Sequence, residues 1–83
     1  MKILVLGSGM QGRACSFDLL KNPALEELLL VDADAAGLAA TKRFLNSKKV
    51  RAVRADVSDA NRIKKLADGC DVVVSCVPYF LNP

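Results

Sequence analysis

The chain has 83 residues, of which 52% are apolar and 25% charged, and it carries a net charge of +3. That length fits one domain and excludes a nucleotide-binding and a substrate domain side by side, while the apolar share excludes a disordered segment. Dispersed Lys and Arg with one Tyr and no Trp argue against a nucleic-acid surface, and no stretch approaches the roughly 18 apolar residues that span a membrane.

Ile3 to Leu6 is an unbroken apolar run closed by Gly7, the pattern of a short strand buried on both faces. Ala14, Cys15, Phe17, Asp18, Leu19 and Leu20 follow with a helical period, which Asn22-Pro23 stops. Leu28 to Val31 repeats the strand pattern and ends at Asp32. Ala35 to Leu45 is a helix with Leu38, Ala39, Phe44 and Leu45 as candidate core positions. Val50 to Val53 reads as a third strand, and Arg51 and Arg54 suit it to an edge. Ala60 to Ala67 reads as a helix that turns Ile63, Leu66 and Ala67 inward and ends at Gly69. Val72 to Val77 is the most apolar strand, and Pro78 ends it. Strands alternating with helices at this spacing predict a Rossmann-like three-layer α/β/α fold. The expected four-stranded parallel sheet has the order 3-2-1-4, a partial dinucleotide-binding fold.

Gly7-Ser8-Gly9-Met10-Gln11-Gly12 is a G-x-G-x-x-G sequence between a buried strand and a helix, the context in which each glycine has its own task. Gly7 allows the tight turn, Gly9 lets the backbone approach a pyrophosphate, and Gly12 lets the helix lie close to the sheet. The N–H groups near Met10 and Gln11 lack intrahelical partners and can donate to phosphate oxygens. A purely structural strand-to-helix turn is the alternative.

Asp32 ends the second strand 20 residues after Gly12, where a carboxylate can accept from the adenine-side ribose hydroxyls, with Ala33 beside it. A carboxylate there repels a 2′-phosphate, and no Arg follows closely, so NAD is expected over NADP. Asp34 is the better candidate for capping the next helix. Asp56 and Val57 are expected to end the third strand and touch the adenine, a solvated turn being the alternative. Cys76, Val77 and Pro78 are expected to pass the ribose next to the nicotinamide.

Cys15, Cys70 and Cys76 form no C-x-x-C pair, and the chain has no His, so no metal site and no catalytic cysteine is expected. An odd count without a secretory signal is expected to mean reduced thiols in a cytoplasmic setting.

Two segments carry a family resemblance: residues 2–14, Lys-Ile-Leu-Val-Leu-Gly-Ser-Gly-Met-Gln-Gly-Arg-Ala, and residues 71–82, Asp-Val-Val-Val-Ser-Cys-Val-Pro-Tyr-Phe-Leu-Asn. Together they resemble the N-terminal, NAD(P)-binding part of the saccharopine dehydrogenase and lysine 6-dehydrogenase family. The resemblance implies an oxidoreductase of amino-acid metabolism that moves a hydride between a nitrogen-bearing carbon and a nicotinamide cofactor. It carries over Gly7, Gly9, Gly12 and Asp32 as cofactor residues, together with Val77-Pro78. Some members use NADP and carry a basic residue where this chain has Asp32.

Strands 5 and 6 of a full dinucleotide-binding fold have no counterpart here, so the chain is expected to be a truncated domain, inactive alone. The fourth strand would then present an apolar edge, covered by a missing C-terminal domain or by self-association. A regulatory nucleotide-sensing module without catalysis is the alternative to a dehydrogenase domain.

Overall fold

The computed structural model describes residues 1–76. Along the chain run β1 (Lys2–Leu6), α1 (Met10–Leu19), β2 (Glu27–Asp32), α2 (Ala35–Leu45), β3 (Val50–Arg54), α3 (Ala60–Ala67) and β4 (Val72–Ser75). The strands form one parallel sheet in the order β3-β2-β1-β4, as the alternation of strand and helix implies.

Strand alternation splits the core in two. On one face Ile3 and Val5 of β1, Leu28 and Leu30 of β2 and Val50 of β3 pack with Leu38 and Leu45 of α2, and Leu19 and Leu20 lie against them. On the other face Leu4, Leu29, Val31 and Ala55 pack beneath Ile63, Leu66 and Ala67 of α3. The molecule therefore has three layers, helix on sheet on helix.

The expected core positions hold in part: Leu38 and Leu45 of α2 and Ile63, Leu66 and Ala67 of α3 face the sheet, while others do not. In α1 the buried residues are Gly12 and Ser16, while Phe17 is exposed, because the helix approaches the sheet through its smallest side chains. In α2 the buried set is Leu38, Thr41 and Leu45, spaced three and four residues apart as one helical face requires. Phe44 and Ala39 lie outside that face and are exposed. Phe44 instead meets Phe17 at 6.1 Å between ring centroids, so the two displaced aromatics cover each other.

The helix ends follow local chemistry. Asp34 caps α2 by accepting from Ala36 N–H, and Asp59 caps α3 by accepting from Arg62 N–H. Gly69, at φ +91°, supplies the left-handed residue that turns the chain out of α3. β4 stops at Ser75 among the described residues, and its Val72 and Val73 are exposed at the sheet edge.

Candidate functional site: the glycine turn and the carboxyl edge of the sheet

Gly7 leaves β1 at φ +103°, a conformation that side chains disfavour, and its N–H donates to Val31 O at 2.8 Å, tying the turn to β2. Gly12 is fixed by contact, since a Cβ there would stand 1.9 Å from Gly7 O. At Gly9 a Cβ would meet nothing within 4 Å, so the space beside this turn is open.

Gly9 is the N-cap of α1 and offers no side chain to the helix. The first bond at this end of the helix runs from Arg13 N–H to Gly9 O, at 2.8 Å. Among the described residues, the N–H groups of Gly9, Met10, Gln11 and Gly12 have no acceptor. Gly9, Met10 and Gln11 are exposed, so their N–H groups open outward beside the positive end of the helix dipole, with the buried Gly12 behind them. A group with negatively charged oxygens fits such a cradle without displacing any protein bond.

Asp32 lies at the same place. Its Oδ2 accepts from Ser8 N–H and from Ser8 Oγ, each at 2.7 Å, and its Oδ1 accepts from Asp34 N–H at 3.0 Å. Burial alone would raise this carboxyl, but the donors from Asp34, Ser8 and Ala33 outweigh it and hold Asp32 below the usual carboxylate range. Asp32 is thus ionised at neutral pH, beside the open amides, and its carboxylate also braces the turn.

Sequence reasoning missed that brace. Ser8 is buried, and its carbonyl accepts from Thr41 Oγ1 of α2 at 2.8 Å, so β1, β2 and α2 converge on one serine. A small hydroxyl residue inside the glycine motif, paired with an acid at the end of the next strand, was the available signal. Arg13 reaches Thr41 Oγ1 through a long 3.4 Å contact and lies 4.9 Å above the Phe44 ring.

Ala33 is exposed directly after Asp32, and its carbonyl accepts from Arg54 Nε at 3.3 Å. The β2–β3 register pairs Asp32 with Arg54, so an arginine does stand beside the acidic residue although none follows it closely in sequence. Asp56 and Val57 lie in a turn beyond β3, which ends at Arg54. The Asp56 carboxylate accepts from Ser58 N–H at 2.9 Å and Ser58 Oγ at 2.7 Å, and these bonds hold it below the usual range. It closes its own turn, the behaviour expected of Asp in a loop.

Cys76 follows β4 and donates its N–H to Leu6 O at 2.8 Å, which brings it to the glycine turn. Its Cβ lies 3.8 Å from where a Cβ on Gly12 would be. Burial, and then the neighbouring Cys15 thiol, push the Cys76 thiol up, so it stays protonated and poorly nucleophilic. Val77 and Pro78, also expected at this edge, lie outside the described residues.

The arrangement is an anion cradle made of backbone, an ionised carboxylate beside it, and the ends of β1, β2 and β4 around both. Residues 3–83 match the family model described as "Saccharopine dehydrogenase NADP binding domain". The structure is similar to that of apo saccharopine dehydrogenase (L-Glu forming) from Saccharomyces cerevisiae, with a TM-score of 0.73 and 28% identity. That match covers 95% of this chain but only 17% of the yeast chain. The strand order, the glycine turn and the family match agree, and the chain belongs to the saccharopine dehydrogenase NADP-binding domain family, whose cofactor is a nicotinamide dinucleotide.

Proposed function

We propose that this chain holds the ADP portion of the dinucleotide for an amino-acid dehydrogenase, the diphosphate on the α1 amides and the adenine-side ribose at Asp32. When bound, the cofactor supplies the hydride acceptor or donor for a nitrogen-bearing carbon. The chain's own residues bind and orient it: Gly9, Met10, Gln11 and Gly12 through N–H, and Asp32 through its carboxylate. Cys76 flanks the cofactor's other ribose, and Ala33, Asp56 and Val57 border the adenine side.

The observation that carries this reading is the row of unpartnered amides standing open next to an ionised Asp32. Asp32 favours an unmodified ribose, so NAD is the preferred form. Substrate groups would come from a further domain, in keeping with the 17% of the yeast enzyme that the match spans. In their absence the exposed Val72 and Val73 edge would pair with a second copy.

Calorimetric titration with NAD and with ADP-ribose tests the reading. Similar affinities for the two support a site for the ADP half, and no heat from either rejects it.

A further inference from the structure

We propose that Arg54 receives the 2′-phosphate of NADP, so that the site admits the phosphorylated cofactor beside NAD; this rests on the dinucleotide reading given above. Residues paired across parallel strands point to the same face of the sheet. Val50 and Ala52 of β3 share one core face with Leu28 and Leu30 of β2. Two residues further on, Arg54 and Asp32 are register partners on that face, at the carboxyl end of both strands.

The Arg54 guanidinium is held at the turn that follows Asp32, through Nε to Ala33 O at 3.3 Å. Arg54 is exposed, and its terminal nitrogens have neither a carboxylate within ion-pair reach nor another acceptor among the described residues. The bond to Ala33 is long, so the fork can shift without breaking a strong contact.

A 2′-phosphate brings close to two negative charges to a place where Asp32 is already ionised. Asp32, however, is held against the turn by Ser8 and Asp34, so its carboxylate does not swing towards the added phosphate. A guanidinium on the neighbouring strand offsets the repulsion and matches a phosphate with two parallel N–H donors. Arg13 is engaged by the Phe44 ring and by Thr41, and Lys42 and Arg43 stand in the last turn of α2. Position 54 is therefore where cofactor choice is set against Asp32.

The test is calorimetry with NAD and NADP on the chain as it stands and on its Arg54→Ala and Arg54→Lys variants. The unaltered chain should bind both. Arg54→Ala should weaken NADP by about tenfold or more and leave NAD within about twofold, because only the charged contact to the extra phosphate is lost. Arg54→Lys should fall between the two, keeping the charge without the fork. Unchanged NAD binding by the Ala variant also shows that it is folded.

Raising salt should weaken NADP more steeply than NAD in the unaltered chain, and Arg54→Ala should remove that difference. If the Ala variant weakens both cofactors alike or neither, or if the unaltered chain takes NAD and not NADP, the role of Arg54 is overturned. If the unaltered chain binds neither, the dinucleotide reading itself falls, and this assignment with it.

Discussion

The β1–β2 centre of the sheet and its β4 edge are built from similar apolar sequences, yet they are finished very differently. Leu28-Leu29-Leu30-Val31 is covered on both faces, with Leu30 fully buried. Val72 and Val73, equally apolar, are 43% and 48% exposed. The difference lies in neighbours: β2 has strands on either side and helices above and below, whereas β4 has β1 alone among the described residues. Stability is therefore concentrated where the glycine turn is anchored, and the edge contributes little.

The contrast predicts unequal responses to substitution. Leu30→Ala should cost about 2–5 kcal/mol in chemical denaturation, because it empties a site enclosed on all sides. Gly12→Ala should cost about 1–3 kcal/mol, since a Cβ 1.9 Å from Gly7 O forces the turn apart. It should also abolish NAD binding in the same titration, because the turn and the amides move together.

Asp32→Asn joins stability to ligand binding. It removes a charged acceptor of Ser8 and of the ribose, and NAD affinity should fall about tenfold. The folded-state pKa of Asp32 is depressed, so its contribution to stability is present above the ordinary carboxylate range and is lost as pH falls through the lower folded value. The stability gap between the unaltered chain and the Asn variant, read by denaturation across pH, should be full near neutrality and should close below about pH 4. A gap that stays constant down to pH 2 would contradict that brace.

The smallest effect is expected at the edge. Val73→Lys should change folding stability by no more than about 0.5 kcal/mol, since the side chain is already half exposed. Light scattering should show less self-association in this variant than in the unaltered chain, as a charge on an open strand edge discourages pairing.

Much of this architecture is legible from local patterning. Buried-strand runs, the glycine motif and the cap at Asp34 depend on neighbours in sequence, and each lies where those neighbours imply. The face of α1 was not legible, because apolar periodicity favours Phe17, while Gly12 draws the helix in on small residues. The Ser8–Thr41 link and the Asp32–Arg54 pairing were hidden for another reason: they depend on strand register and on a helix packed across the sheet, which no local spacing encodes. Asp56 was ambiguous because the same carboxylate can serve a ligand or its own turn, and its Oδ1 closes the turn.

An amide-resolved nuclear magnetic resonance titration with ADP-ribose reads the glycine-turn amides one by one. The largest shifts should fall on the N–H groups of Gly9, Met10, Gln11 and Gly12, with Ser8 and Asp34 moving through their bonds to Asp32. Shifts centred on α3 or on the β4 edge, with the glycine turn unmoved, would contradict binding at these amides.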